Sequence, residues 1–364
     1  MNVCHITSAH PSTDVRIYTK MVLGLRRIGV KSTLVAPNKP YQENQQHTIL
    51  LDSPVGRIAR LFFFRRKVVR AALKTNPNIV HLHDPELFPY TSYFQKRGIK
   101  VVLDWHEDFP GQIKIKHWIP GILRGVISKM ALRWSKRITN IADASITVTP
   151  GVVNKMHFAK PTLIRNFPTL RELPASIPDY SERHNLLYIG AVTPNRGSVE
   201  MAKAISQLQN PQNITLDIAG DISEGETKFN IKQNAKPATI NCLGHQNRHE
   251  VASLLSRSCI GFCFIKDIDN YALSYPTKCF EYMMWGIPVV MSRLNSLTEL
   301  FGDEVPGIFV DPNDVDDITH AIQWLLDNQV EAERMGLLGQ KLIQEKLFFE
   351  QDLVLLLELY KDIL

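Results

Sequence analysis

Short apolar runs alternate with longer amphipathic stretches along most of this chain. Val3 to Thr7, Ser32 to Ala36, Ile79 to His83, Lys100 to Asp104 and Ala144 to Thr149 read as short buried strands. Helix-length segments separate them, among them Val15 to Gly29 and Val55 to Lys74. The plan repeats in the second half. Asn185 to Ile189, Thr215 to Ala219, Thr239 to Leu243, Cys259 to Ile265 and Pro288 to Ser292 read as strands, with helices near Val199 to Gln209, Arg248 to Ser256, Thr277 to Trp285 and Val315 to Asp327. Strands apolar on both faces and joined by helices predict parallel α/β sheets covered on each side. A proline-rich connector, Asn166 to Pro178, divides the halves, and 364 residues suffice for two cores. The expected organisation is a first domain over 1–168, a linker over 169–182, a second domain over 183–346 and a terminal helix over 347–364. On that helix Leu353, Leu356, Leu357 and Tyr360 share a face.

Charge is divided unevenly. Residues 1–170 hold 26 Lys and Arg against 9 Asp and Glu, whereas residues 171–364 hold 16 against 27. Many of the cations fall in Arg57 to Arg70 and in Lys114 to Arg137, the second with Trp118, Ile119, Leu123, Ile127 and Trp134 at helical intervals. Two readings stand: an amphipathic face lying on anionic lipid, or core aromatics with a solvated cationic rim. Nucleic acid is excluded as a partner, since no helix-turn-helix, zinc-finger or RNP pattern occurs and an acidic half would oppose a polyanion. Cys4, Cys242, Cys259, Cys263 and Cys279 follow neither a disulfide nor a zinc spacing, which points to buried thiols in a reducing compartment. No apolar run reaches the length of a membrane span, and Met1 to Ile6 leads into a strand without a signal peptide, so a soluble or peripheral cytoplasmic protein is expected.

The richest segment is Ser274-Tyr275-Pro276-Thr277-Lys278-Cys279-Phe280-Glu281, ending at Trp285-Gly286-Ile287-Pro288. Pro276 suits a helix start, which Ser274 or Thr277 can cap. The free N–H groups and dipole of that end favour an anion, and Lys278 adds a full charge in the first turn. Glu281, one turn on, offers two acceptor oxygens to a ribose diol. The plainer reading, a capped helix with solvated Lys and Glu, stays open on this segment alone. A dehydrogenase is excluded by the absence of a glycine fingerprint after the first strand, and no P-loop occurs.

With its C-terminal signature at Ser274 to Val290, the chain resembles the two-domain glycosyltransferases of the GT-B fold, in particular the GT4-like group 1 family of bacterial surface-polysaccharide synthesis. His83-Asp84-Pro85-Glu86-Leu87-Phe88-Pro89 and Asp104-Trp105-His106-Glu107-Asp108-Phe109-Pro110 are similar to its paired first-domain motifs. Tyr188 to Gly197 is similar to the loop opening its second domain. The resemblance implies two Rossmann-like domains facing across a cleft, with the terminal helix crossing back to the first. It implies a sugar transferred from a UDP- or GDP-sugar to a lipid-linked glycan at the inner face of the membrane, with no cofactor beyond the donor.

In this reading Arg196 and Lys278 hold the diphosphate, Glu281 the ribose, and Gly190, Ser274, Thr277, Asn270 and His245 line the donor. His106 assists the reacting centre. No side-chain base is needed if configuration is retained, while Asp108 or Glu107 takes the acceptor proton if it inverts. Asp14, Arg16, Tyr18, His83 and Asp84 are expected near the acceptor. Two departures stand out: Leu273 replaces the first glutamate of the familiar Glu-x7-Glu pair, and Ala191 an arginine. They leave open a non-catalytic assembly partner or a sugar-nucleotide epimerase. Metal is expected to be dispensable: Asp267-Ile268-Asp269 has metal-ligand spacing but lies in a loop expected to border the sugar rather than the diphosphate.

Overall fold

The structure is a computed structural model. It describes residues 1–38, 45–52, 56, 63–106, 108–115, 119–156, 161–222, 231–266 and 273–364. These form two compact units, Met1–Asn166 with Phe349–Leu364, and Phe167–Phe348.

The first unit holds β1 (Asn2–Ile6), β2 (Lys31–Asn38), β3 (Thr48–Asp52), β4 (Ile79–Leu82), β5 (Lys100–Trp105), β6 (Ala144–Thr147) and β7 (Thr162–Leu163) in the order β3-β2-β1-β4-β5-β6-β7. Every neighbouring pair is parallel. The second unit holds β8 (Asn185–Ile189), β9 (Thr215–Ala219), β10 (Thr239–Gly244), β11 (Ser258–Cys263), β12 (Val289–Ser292) and β13 (Gly307–Val310) in the order β10-β9-β8-β11-β12-β13, again all parallel. In both sheets the order reverses beside the first strand, at β1/β4 and at β8/β11. Such a switch point opens a crevice at the carboxyl ends of the strands, where α/β sheets place ligands.

The segment predicted as one helix from Val15 to Gly29 opens π-helically over Val15–Val22 and continues as an α-helix over Leu23–Arg27. Asp14 caps it by accepting the Ile17 N–H at 2.9 Å. The terminal helix Phe349–Asp362 buries Phe349, Leu353, Leu356 and Tyr360 in the first unit's core, beside Val3, Met21, Leu25 and Ile79. Each such side chain contributes about 1.5–3 kcal/mol over exposure.

The two basic segments behave differently. In Arg65–Leu73, Val68 and Val69 are buried while Arg66, Lys67 and Arg70 are exposed, which is the ordinary solvated rim. Residues 57–62 of that segment and Trp118 lie outside the described residues. Along Gly121–Ile141, Ile119 before it is buried, and Ile127 and Trp134 are partly covered. Trp134 stacks on Phe88 at 6.5 Å and meets Trp105 edge-on at 6.2 Å. Among the described residues of that apolar set, only Leu123 is exposed. Among the described residues, no helix is long and apolar enough to cross a membrane.

Candidate functional site

The helix Thr277–Met284 is fixed to the second sheet by Tyr282. The Tyr282 hydroxyl accepts the Ile189 N–H at 2.9 Å and donates toward the Leu187 carbonyl at 3.1 Å. Its ring lies flat over Gly261, where a Cβ would stand 2.4 Å from the aromatic carbon, so only glycine on β11 admits the helix this close. This contact sets the first turn of the helix beside the end of β8.

There Lys278 is 8 % exposed, with Nζ 3.7 Å from the centre of the Tyr188 ring. The ammonium has no hydrogen-bond partner among the described residues. Burial, opposed by Cys263 and Glu281 and aided by neighbouring Arg196, lowers its pKa to about 8. Gly190, at φ +105°, lies between the two cations: a Cβ there would be 3.7 Å from Arg196 Nη1 and 3.9 Å from Lys278 Nζ. Arg196 donates to the Ala191 carbonyl at 3.3 Å. Two cations flanking a bare glycine backbone at a switch point are an arrangement that suits a polyanion, which would relieve both their repulsion and the unpaired donor.

Pro276 is the N-cap of this helix and no side chain caps it, so neither Ser274 nor Thr277 has the expected capping role. The Ser274 carbonyl instead accepts from Ser296 at 3.0 Å, and Thr277 is exposed. Glu281 is half-buried one turn beyond Lys278, and His245 is exposed in the turn after β10. Asn270 and the Asp267-Ile268-Asp269 stretch lie outside the described residues, as does Glu107.

In the first unit Asp104, at the end of β5, organises the polar side chains. Its carboxylate accepts from Arg16 Nε and Nη2, both at 3.1 Å, and from His83 Nδ1 at 3.0 Å. Burial would raise its pKa, but the Arg16 guanidinium and the bond from His83 hold it well below the carboxylate range. With Nδ1–H of His83 donated to Asp104, the free Nε2 lone pair accepts from His5 Nδ1 at 3.0 Å. His81 stacks on His83 at 4.5 Å and bonds Tyr360 of the terminal helix through Nδ1. His5, His81 and His83 bring ligand atoms within 4.8 Å of one another. However, His5 and His81 each stack on His83, at 15° and 18°, and both nitrogens of His83 are already engaged, by His5 and Asp104. The cluster suits a hydrogen-bonded stack better than a metal.

His106 sits at the edge of this network, its side chain 18 % exposed and Nδ1 3.9 Å from Asp104 Oδ2. His10 meets it edge-on at 5.1 Å and lies between Asp14, at 3.3 Å, and Asp84, at 3.4 Å. Asp84 is pinned by Thr7 Oγ1 at 2.8 Å and the Ser8 N–H at 2.6 Å. Burial raises the Asp14 pKa, but bonds from His10 and the Ile17 N–H outweigh it and leave the carboxyl lowered.

Several expected roles are corrected here. Asp108 is not placed as a base: it is 2 % exposed, caps the helix Phe109–Ile115 through the Gly111 N–H at 2.9 Å, and pairs with Lys155 at 2.7 Å. Arg16 is turned inward, onto Asp104 and the Ile164 carbonyl. His83 is fully buried with both nitrogens bonded, and the buried Tyr18 donates to the Gln46 carbonyl at 3.1 Å. These three support the site from behind and do not offer groups to an acceptor. Of the expected acceptor residues, Asp14 and Asp84 gather around His10.

The sequence matches the family model for glycosyl transferases group 1 over residues 171–341 and that for glycosyltransferase family 4 over residues 15–166. The chain belongs to the group 1 glycosyltransferases. Solved structures share the two-domain GT-B fold with this glycosyltransferase. Sucrose-phosphate synthase from Thermosynechococcus elongatus aligns at TM-score 0.77 and 15 % identity, covering 100 % of this chain and 98 % of that one. Anabaena HepE in complex with UDP and glucose aligns at 0.73 and 13 %, with 100 % of both chains covered. WaaG, a glycosyltransferase involved in lipopolysaccharide biosynthesis, aligns at 0.70 and 11 %, covering 96 % and 97 %. No curated protein matches the glycosyltransferase in sequence.

Sequence reading missed His10 and Asp104 in the polar network of the first unit, and Tyr188 and Tyr282 beside Lys278 in the second. Asp108 carried a usable signal: Asp followed by Phe-Pro is an N-cap with proline in the first turn.

Proposed function

We propose that the chain transfers a sugar from a UDP- or GDP-sugar to a lipid-linked glycan at the anionic inner face of the cytoplasmic membrane, as a step in O-antigen, capsule or exopolysaccharide synthesis. The observation that carries the reading is the buried, unpartnered Lys278 ammonium flanking Gly190 with Arg196. As the glycosidic bond to the diphosphate breaks, negative charge grows on the leaving group, and preorganised cations and N–H groups stabilise it there. Glu281 receives the ribose hydroxyls. No metal is required, because the two cations and the helix start do its work. HepE was solved with UDP and glucose, which favours a uridine donor.

His106 is the first-domain residue assigned to the reacting centre. Asp108 is engaged as a cap and by Lys155, and the reading takes retention of configuration, for which no side-chain base is needed. Leu273 and Ala191 mark a donor site that recognises its sugar without the usual second carboxylate.

The test incubates the protein with a panel of UDP- and GDP-sugars and a polyprenyl-linked acceptor extract. Free nucleoside diphosphate with a heavier glycolipid is expected. A changed sugar without acceptor would indicate an epimerase, and neither product an inert assembly partner; both would overturn the reading.

A further inference from the structure

We infer that one face of the helix Gly121–Ile141 is a membrane-docking surface that inserts apolar side chains among the headgroups of an anionic bilayer. The inference names the element by which the proposed membrane-side enzyme meets its lipid, and it rests on that reading only for the purpose of the contact.

The helix has 21 residues and contains no Asp or Glu, but carries Arg124, Lys129, Arg133, Lys136 and Arg137. Its inner side is settled: Ser128, Ala131, Ser135 and Ile138 are buried. On the outer side Ile122 is 94 % exposed, Val126 58 % and Met130 61 %. Spaced four apart, these three form a stripe along one face. At 100° per residue, Lys129, Arg133 and Arg137 fall on the same side of the helix as the stripe, and all three are exposed.

This arrangement distinguishes the helix from the basic helix Arg65–Leu73, where the apolar residues turn inward and the cations alone face out. A solvated helix has no use for Ile122, Val126 and Met130 on its outer face. A cationic face for a polyanion has none either. An interfacial helix needs both together, apolar groups to enter the acyl boundary and cations to meet lipid phosphates, with no acid to repel them. A second copy of the chain is disfavoured as occupant, because the cations would face their own kind across a self-complementary contact.

The test is co-sedimentation of the full chain with vesicles of phosphatidylglycerol and phosphatidylcholine, against vesicles of phosphatidylcholine alone. Binding to the anionic vesicles is expected, weakened by salt. The triple variant Ile122→Ser, Val126→Ser, Met130→Ser should lower the partition coefficient at least tenfold, and Lys129→Glu with Arg133→Glu by about fivefold per cation removed. These exposed positions leave the fold intact, which equal melting temperatures would register. Wild-type protein that ignores anionic vesicles, or a triple variant that binds as wild type, overturns the inference. So does a wild-type dimer that the triple variant dissolves. Calorimetric binding of UDP by the same variants reads the donor site separately: vesicle binding without nucleotide binding would sink the proposed function and leave this inference standing.

Discussion

Lys278 Nζ stands 3.7 Å over the Tyr188 ring and has no hydrogen-bond partner among the described residues. A cation–π contact of this kind is worth about 2 kcal/mol when desolvated, less than the cost of burying an ammonium. The site therefore holds a charge that it only partly satisfies, which in the proposed function a diphosphate completes.

Diphosphate affinity should depend on pH in a particular direction. The Lys278 pKa lies at about 8 in the free protein, so the ammonium is present below that value and lost above it. A bound anion favours the charged form, so binding above pH 8 takes up a proton. Affinity for UDP should be level below about pH 7 and fall toward tenfold per unit well above 8. Titrations in buffers of different ionisation heat read the proton uptake directly. Lys278→Ala should abolish both effects.

Tyr282→Phe removes the acceptor of the part-buried Ile189 N–H and the buried donor to the Leu187 carbonyl. Leaving a buried polar group without its partner costs about 1–3 kcal/mol. Urea denaturation should show a loss of that size. Weaker nucleotide binding should accompany it, because the hydroxyl ties the helix that carries Lys278 to β8.

Asp104→Asn and His106→Ala should separate support from chemistry. The asparagine leaves Arg16 buried without its counter-charge, and breaking such a pair costs about 3–5 kcal/mol. The alanine alters a partly exposed ring and should leave the melting temperature nearly unchanged. It should keep UDP affinity while lowering sugar transfer at least a hundredfold. Unchanged turnover in His106→Ala would reject the assigned role.

Acid should destabilise the first domain below about pH 6.5. Burial lowers the pKa values of His5 and His81 well below 6.5 and also lowers that of His83, despite its bond to Asp104. Groups with depressed folded values contribute stability that is present above the unfolded value, here 6.5, and lost as pH falls through the folded values. Chemical denaturation across pH 7.5 to 4 should show a steady loss. Replacing His5 with Gln, which keeps a donor but does not titrate, should flatten that slope.

Much of the fold was legible because buried parallel strands are apolar runs of helical spacing from one another. Asn185–Ile189, Thr215–Ala219, Arg248–Ser256 and Val315–Asp327 fall where the pattern places them. β3 and β7 were not, since Thr48–Asp52 is only partly buried along its length and Thr162–Leu163 has two residues. The π-helical opening at Val15 has the apolar pattern of an ordinary helix, and nothing in it announces the wider turn.

In the second domain the placement of Glu281 one turn beyond Lys278 was readable because the two are close in sequence on one helix. The first-domain network was not, because Arg16 and Asp104 meet across 88 positions and only the β1/β4/β5 neighbourhood brings them together. Residues flanking His106 looked available for proton transfer, whereas backbone capping had already engaged Asp108.

The central claim is that Lys278, Arg196 and the Gly190 backbone receive a nucleoside diphosphate. Calorimetric titration of wild-type protein and Lys278→Ala with UDP and GDP tests it most directly. Binding of at least one by the wild type, weakened about tenfold to a hundredfold in the variant, is the expected result. No binding of either nucleotide by wild type, or equal affinity in the variant, would contradict it.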